Sequence, residues 1–460
     1  MANVTVGAHP AQVEAEVAVD DAPARAWWRP AGIYLAVAAV VWLVVFVAAQ
    51  VLPRDYLFPR PRTYPGGPLA EMWMRWDANW YREIIRHGYR YYPGVQSSVA
   101  YFQAYPLAVL SIAWAFPGVA AAAITVTVLS GLGAAVLFHR WCCQRMSPAA
   151  ATTALLVLLV YPYAWYLFGA VYSDAFFLML VLAAFLLVER QRYWTAGIVG
   201  LLVTASRPTG IAVAVGLVLV VLERANQERR EQAAVAAPVG VSATPSAGSV
   251  AARTSLGGSL GAGSSEAGAA GEVEAEPKRG FVRELGRRFD PRAFPRPAAP
   301  ILLSFAGLAG WCAYLYYRFG DALLFVDAEG AWHQGAGPRT WFKVEFFTKI
   351  HQVPHSIFAD SLMLHAFLGV AVIFLVPLVA RRFGWGYAGY VAVVMGIPLL
   401  GTKDFMSCGR YLLAAFPVFA AVGLELAGPA RRWPRRIWFG VSASILTVMC
   451  CWWAMGKYIS

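Results

Sequence analysis

Long apolar runs without charge recur along the chain and dominate its pattern. The first extends from Ala31 to Pro53 and follows Arg25 and Arg29. It is longer than the apolar part of a signal peptide and has the length that crosses a bilayer. We therefore predict an uncleaved first membrane helix whose N-terminus lies in the cytoplasm.

Later runs have the same character, and several are interrupted by proline or glycine. The predicted membrane segments cover residues 119–138, 149–167, 175–188, 193–222, 298–317, 361–380, 384–402, 409–427 and 437–456. Pro208 and Gly210 predict two short helices meeting at a break within 193–222. The pattern predicts an all-α polytopic integral membrane protein with about 10–12 transmembrane helices.

Polar stretches divide this pattern into modules. Residues 1–30 are predicted to form a disordered cytoplasmic tail and residues 224–297, rich in Ala, Gly, Ser, Glu, Pro and Arg, a disordered cytoplasmic linker. An N-terminal transmembrane module covers 31–223 and contains a long loop at 54–98. A C-terminal module covers 298–460 and contains a second long loop at 319–358.

Composition and charge exclude other classes of protein. Apolar residues make up 59% and charged residues 14% of the chain, which leaves too little polar surface for a soluble fold. The net charge of +12 comes largely from arginines in short loops between apolar runs, so it indicates topology and lipid contact rather than nucleic-acid binding. The six cysteines have neither metal-ligand nor disulfide spacing, and we expect free thiols.

The distribution of arginine predicts which side of the membrane each loop faces. If residues 99–117 form a re-entrant or juxtamembrane segment, the basic short loops and the linker all lie in the cytoplasm. The loops 54–98 and 319–358 then face the other side. Loop 54–98 carries seven arginines against this rule, and contact with phosphate or lipid headgroups is one purpose for them.

Charges within or beside apolar segments are costly and therefore indicate function. Asp174, Arg207 and Arg410 stand out, all near the predicted non-cytoplasmic ends of segments. An Asp174–Arg207 ion pair that only ties helices together is the structural alternative. In the first loop, Asp77 lies between Trp76 and Trp80, an arrangement that suits sugar chemistry, since a carboxylate can accept a hydroxyl proton.

These segments together resemble a known family. Trp76-Asp77-x-x-x-Tyr81 followed by Gly88-Tyr89 is similar to the signature of the PIG-V-type mannosyltransferases (GPI mannosyltransferase 2-like), bacterial branch, in the class C (GT-C) glycosyltransferase superfamily. Further segments match in order: Ala104-Tyr105-Pro106-Leu107, Tyr172-Ser173-Asp174-Ala175-Phe176, Ser206-Arg207-Pro208-Thr209-Gly210 and Gly409-Arg410-Tyr411-Leu412 with Phe416-Pro417. Asp174 replaces the family's usual Glu, and Pro208-Thr209 its common Ser-Asn.

The resemblance implies a GT-C-like fold whose long first external loop carries juxtamembrane helices, in a multi-pass protein of the cell membrane. It implies transfer of a sugar, mannose first, from a polyprenyl-phosphate donor to a lipid or glycan acceptor on the non-cytoplasmic face. It implies neither a cofactor nor a metal. The partners would be this donor, the acceptor and membrane lipids.

The same resemblance, with the chemistry of the side chains, assigns roles to residues. Asp77 is the expected general base in an inverting transfer, and Asp174 holds the acceptor or supports the loop. Arginines would bind the lipid phosphate. The expected substrate-binding residues are Arg75, Trp76, Trp80, Tyr81, Tyr172, Arg207, Arg410 and Tyr411. Trp332 and His333 could line an acceptor site, although a structural role is favoured for them.

Two rival interpretations remain open at this stage. A lipid-linked saccharide flippase or other transporter would also be polytopic with buried charges. It would not need an aspartate flanked by tryptophans in a long loop, and the chain shows no internal repeat of the kind found in many transporters. Another class C enzyme, transferring arabinose, glucose or aminoarabinose, would share the fold and differ only in sugar and acceptor.

Overall fold

The computed structural model describes residues 27–55, 67–236, 286–332 and 337–459. The predicted tail up to residue 26, residues 237–285 of the predicted linker and His333 lie outside the described residues. The chain divides into two compact units, Met1–Val221 with Pro295–Ser460, and Leu222–Phe294. All residues of the site described below belong to the first unit.

Within the described residues, every regular element is helical. The first half contains α1 (Trp28–Val51), α2 (Gly67–Glu71), α3 (Ala78–His87), α4 (Ala104–Ile112), α5 (Val119–Cys143), α6 (Pro148–Leu159), α7 (Asp174–Glu189), α8 (Tyr193–Thr204) and α9 (Gly210–Ala236). The second half contains α10 (Ala306–Phe319), α11 (Leu324–Gly330), α12 (Pro338–Trp341), α13 (Val344–Gln352), α14 (Ile357–Phe383), α15 (Trp385–Gly401), α16 (Cys408–Leu412), α17 (Phe416–Leu426) and α18 (Arg432–Ala454).

Six of these helical segments are long and apolar enough to cross a membrane. They are Trp28–Val51, Val119–Cys143, Gly210–Val235, Arg296–Phe319, Ile357–Phe383 and Pro429–Ala454, each with 24 to 27 residues. At about 1.5 Å per residue they exceed the hydrocarbon thickness of about 30 Å. The prediction of an all-α polytopic membrane protein is therefore confirmed. The count of 10–12 spans stays a prediction, because the other apolar helices are shorter.

The shorter apolar helices end at prolines and glycines. The predicted segment 149–167 breaks after Leu159, before Pro162, and continues as a 3₁₀ turn at Ala164–Leu167. The predicted segment 409–427 was wrong as a single span, because the chain leaves helix after Leu412 and Pro417 starts a new one. Proline favours a helix start, since its ring cannot donate the backbone hydrogen bond that a helix interior needs.

The predicted break near Pro208 is present, but the helix after it is longer than expected. α8 ends at Thr204 and α9 begins at Gly210. α9 then continues to Ala236, past the predicted linker start at residue 224. Residues 104–115 form an apolar helix of about 18 Å, shorter than the hydrocarbon thickness, and their re-entrant or juxtamembrane position stays a prediction.

Helices pack closely where small residues face each other. A side chain at Gly423 in α17 would lie 2.3 Å from the Cα of Ala154 in α6. At Gly131 in α5 it would lie 2.1 Å from the carbonyl oxygen of Leu167. Such contacts bring helix backbones together and are typical of membrane bundles, in which van der Waals packing drives association.

The first loop is anchored on this bundle by tryptophans. The indole of Trp453 in α18 donates a hydrogen bond of 3.1 Å to the carbonyl of Met72. The ring of Trp73 lies against Gly169, where any side chain would approach it to 2.6 Å. Trp73 and Trp453 are fully buried, so the segment that leads to Asp77 is held rigidly.

Candidate active site

Both long loops and two helix breaks meet around a partly enclosed cleft. The residues around it are mainly charged, aromatic and hydroxyl-bearing. The lining is Asp77, Tyr81, Ala100, Tyr101, Phe102, Tyr172, Ser173, Asp174, Ser206, Arg207, Pro208, Glu329, Trp332, Thr402, Met406, Ser407, Arg410, Tyr411 and Tyr458. Seven of the ten residues expected to form a site thus line this cleft.

Two arginines and two aspartates form a continuous ionic network in this cleft. Arg410 Nη1 lies 3.1 Å from Asp77 Oδ2, and Arg410 Nε lies 3.8 Å from Asp174 Oδ1. Arg207 donates a hydrogen bond to the same oxygen of Asp174. The side chain of Asp174 is 2% exposed and that of Asp77 is 21% exposed. The Asp174–Arg207 ion pair, which the sequence offered as a purely structural alternative, is therefore present within the cleft.

Asp77 faces the cleft because the chain reverses at the residue before it. Trp76 has a φ of +49°, and its indole donates a hydrogen bond of 3.1 Å to the carbonyl of Lys457. Its ring packs edge-on against Tyr458 at 4.9 Å. The backbone N–H of Asp77 donates to the hydroxyl of Tyr172 at 3.1 Å. A left-handed tryptophan is uncommon, so this turn is held in place by its partners.

Aromatic side chains surround the arginines. The guanidinium carbon of Arg207 lies 4.9 Å from the centre of the Tyr411 ring. That of Arg410 lies 5.4 Å from the Tyr172 ring and 5.5 Å from the Tyr411 ring. Tyr81 closes the side of the cleft by donating a 3.0 Å hydrogen bond to Ser173. Cation–π contacts of this kind hold guanidinium groups without neutralising them.

Three predicted substrate-binding residues do not line the cleft. Arg75 is fully buried and donates to the carbonyl and carboxylate of Glu71, at 2.6 and 3.1 Å, because the reversal at Trp76 directs it away from Asp77. Trp76 contacts the C-terminal residues instead. Trp80 stands behind the wall, stacked on Tyr101 at 5.9 Å.

Glu329, at the end of α11 in the second loop, also lines the cleft, and the sequence analysis did not identify it. Burial raises the pKa of this carboxyl to about 7, and the nearby Asp77 adds to the effect, while Arg410 and Arg207 oppose it. A signal existed in the spacing of Glu329 and Trp332, one helical turn apart. This spacing alone was a weak signal, because the sequence does not show that the second loop packs against the first.

His365 in α14 supports Arg410 from behind. Its Nδ1 accepts a 3.0 Å hydrogen bond from the N–H of Gly409, so the proton of a neutral imidazole is assigned to Nε2. Nε2 lies 3.2 Å from the carbonyl of Ile459. The hydroxyl of Tyr161 donates to the Gly409 carbonyl at 2.8 Å. Hydrogen bonds to both its N–H and its carbonyl therefore fix the backbone of Gly409, the residue before Arg410.

The chemistry of the cleft follows from these groups. In the described ranges no three His, Cys, Asp or Glu side chains form a cluster that could hold a metal ion. Two guanidinium groups facing one space can bind a phosphate with charge-assisted hydrogen bonds. Carboxylates beside them can accept a proton from a hydroxyl group.

Comparison with known proteins finds a similarity to a mannosyltransferase. The chain is 29% identical over 201 residues to the GPI alpha-1,6-mannosyltransferase 2 of Rattus norvegicus. The match covers 39% of this chain and 40% of that protein, so the chain spans less than half the length of the relative. No family model and no solved structure matches the chain. The protein is therefore a distant relative of a mannosyltransferase.

Proposed function

We propose that this protein is a glycosyltransferase of the cell membrane that moves mannose from a polyprenyl-phosphate donor to a lipid or glycan acceptor. The single observation that carries this proposal is the cleft in which Arg207 and Arg410 face Asp77 and Asp174. The distant mannosyltransferase relative supports the choice of sugar. Membership of the PIG-V-type branch and a GT-C-like arrangement are part of the same proposal.

The donor phosphate binds at Arg410 and Arg207. Both side chains are about nine-tenths buried, where a charge-assisted hydrogen bond to phosphate is stronger than in water. A phosphate is already a good leaving group, so it needs positive charge more than a general acid. Asp174 contacts both arginines and sets their positions.

Asp77 is the general base of this reaction. Its carboxylate is bonded to Arg410 at 3.1 Å. When the donor phosphate binds Arg410, it competes for that guanidinium and releases the carboxylate to accept the proton of the acceptor hydroxyl. The acceptor oxygen forms a bond to the anomeric carbon, the bond from that carbon to the phosphate oxygen breaks, and polyprenyl phosphate leaves. Attack opposite the leaving group inverts the configuration.

The reaction takes place on the non-cytoplasmic face, in keeping with the basic short loops that assign the long loops to that side. A lipid-linked donor suits this location, because such a donor is itself held in the membrane. The residues of the cleft supply the charges of the reaction without a nucleotide sugar or a cofactor.

Incubation of the purified protein in liposomes with radiolabelled polyprenyl-phosphate mannose and a membrane lipid extract tests the proposal. We expect label to move from the donor to a new lipid or glycan, and Arg410→Ala to abolish the transfer. A flippase would move the labelled donor to the other leaflet with its sugar–phosphate bond intact. That outcome, without any new labelled product, would contradict the proposal.

A further inference from the structure

The residues Lys457–Ile459, called the strap below, follow α18 and pass beside the cleft. Gly456, two residues after the end of α18, has a φ of +82°, a left-handed conformation that glycine adopts without strain. The N–H of Lys457 donates to the carbonyl of Trp452 at 3.0 Å, and the N–H of Gly456 to that of Trp453 at 2.9 Å. This pair of hydrogen bonds is a Schellman helix end, which fixes the direction in which the strap leaves α18.

One end of the strap contacts the turn that carries Asp77. The indole of Trp76 donates a hydrogen bond of 3.1 Å to the carbonyl of Lys457, and its ring packs edge-on against Tyr458 at 4.9 Å. Lys457 also forms an ion pair of 3.0 Å with Asp55, close to the end of α1. Because the left-handed φ of Trp76 turns Asp77 into the cleft, these contacts hold the orientation of Asp77.

The other end of the strap is joined to the backbone of Gly409 through His365. His365 and Ile459 are both buried, and Nε2 of the imidazole lies 3.2 Å from the Ile459 carbonyl. Nδ1 of the same ring accepts a 3.0 Å hydrogen bond from the N–H of Gly409. The ring of Tyr163 stacks on the imidazole at 4.7 Å and fixes its plane. One side chain therefore connects the strap to the residue before Arg410.

A continuous series of contacts thus runs behind one ion pair of the cleft. It leads from Trp76 through the strap and His365 to Gly409. Trp76 and Gly409 directly precede Asp77 and Arg410, whose side chains lie 3.1 Å apart. In the proposed reaction the donor phosphate competes for the guanidinium, so the ion pair is weakened at the step when the separation of the two groups matters most.

We propose that the strap and His365 form a positioning element that sets the separation of Asp77 and Arg410 and maintains it when phosphate binds the guanidinium. His365 acts through Gly409 and the strap acts through Trp76, so His365 is a positioning residue rather than a catalytic one. This inference rests on the proposed function, in which Asp77 accepts a proton and Arg410 binds phosphate.

Two variants each break this series at a different bond. His365→Asn keeps an oxygen that can take the place of Nδ1 and accept the N–H of Gly409, but Asn has no atom at the position of Nε2, so the bond to Ile459 is lost. Trp76→Phe keeps a ring beside Tyr458 and loses the indole N–H that bonds to Lys457.

The kinetic test uses the full chain in liposomes with polyprenyl-phosphate mannose as donor. We expect each variant to lower kcat about tenfold, because a small misplacement of reacting groups slows a reaction strongly. Donor KM should change less than about threefold, as for an interaction that matters in the transition state, since the arginines are retained. If kcat of both variants stays within about twofold of the parent, the inference is overturned.

The double variant Trp76→Phe/His365→Asn distinguishes one shared element from two separate supports. Once the series of contacts is broken at one end, a second break should add little, so we expect a loss of about tenfold to thirtyfold in kcat. Two independent supports would multiply to a loss of roughly a hundredfold, and that result would overturn the inference.

Tyr34→Phe is the matched control for the loss of a buried hydrogen bond. The buried hydroxyl of Tyr34 in α1 donates to the carbonyl of Leu167 at 2.7 Å. Its removal should lower the melting temperature, as the other variants do, and leave kcat unchanged. If kcat falls as much in this control, the effect of His365→Asn is one of general stability and the inference is overturned.

Hydrogen–deuterium exchange separates this inference from the proposed function, because it needs no substrate. We expect His365→Asn to speed exchange in the peptide around Trp76 as well as in the one around Gly409, since the strap joins both. If His365→Asn does not fold, Trp76→Phe gives the same test from the other end, with faster exchange expected around Gly409.

The two readouts can then disagree in an informative way. If the wild-type protein transfers no mannose but exchange rises at both peptides, the positioning element stands and the proposed reaction is wrong. If transfer occurs and exchange rises only beside the substituted residue, the proposed function stands and the positioning element is wrong.

Discussion

Replacement of Asp77 by asparagine tests the proposed reaction most directly. Asn has nearly the same shape, and its amide oxygen can accept the hydrogen bond that Arg410 Nη1 now gives at 3.1 Å. The acceptor of this hydrogen bond is then an uncharged amide oxygen instead of a carboxylate, and this change should lower the free energy of unfolding by about 1 kcal/mol. The fold should survive this change, since the Asp77 side chain contacts the open cleft on its other side.

The rate should fall far more than the stability. Removal of a general base typically lowers the rate by about 10²–10⁴-fold. Donor KM should stay within a few-fold, because the arginines that bind phosphate are retained. The assay is single-turnover transfer of label from polyprenyl-phosphate mannose, with circular dichroism and thermal melting to show that the variant is folded.

Asp174→Asn provides the comparison, because Asp174 is the other buried aspartate of the network and contacts both arginines. We expect a smaller loss of kcat than for Asp77→Asn, together with weaker donor binding. If Asp77→Asn keeps activity within a few-fold of the parent while Asp174→Asn abolishes it, the roles of the two aspartates must be exchanged.

Three further predictions concern the side chain of Arg410, the packing at Gly409 and the predicted linker. Arg410→Lys keeps the charge but loses the planar fork, so donor KM should rise about tenfold in steady-state assays while the melting temperature changes little; normal donor binding even by Arg410→Ala would make the residue structural. Gly409→Ala places a methyl group 2.3 Å from the ring of Tyr163 and should lower the free energy of unfolding, followed by thermal melting, by about 1–3 kcal/mol. Gly396→Ala, with no atom within 4 Å, should leave that free energy unchanged, and equal melting temperatures of the two variants would contradict this packing. Deletion of residues 240–280 should leave expression and transfer near normal, and a folded but inactive deletion variant would show that the segment is needed for activity.

The membrane class of the protein could be read from the sequence alone. An apolar run of twenty residues needs no partner to be recognised, because its cost in water and its length against the bilayer are local properties. The same reasoning singled out Asp174, Arg207 and Arg410, since a charge in such a run is expensive wherever the helix lies. Asp77 was identified from its aromatic neighbours in the chain and from the family resemblance.

The partners of these residues depended on the tertiary structure. The Arg410–Asp77 bond joins residues 333 positions apart, and no local pattern encodes such a pairing. Arg75, only two residues before Asp77, turns to Glu71 because the backbone reverses at Trp76 with a positive φ, which packing against Tyr458 maintains. Glu329 joins the cleft because the apolar cluster of Trp311 and Leu324 brings the second loop onto the first. Apolar length and charge are properties of a segment, whereas a site is a property of the distances between segments, and those are set only when the helices pack.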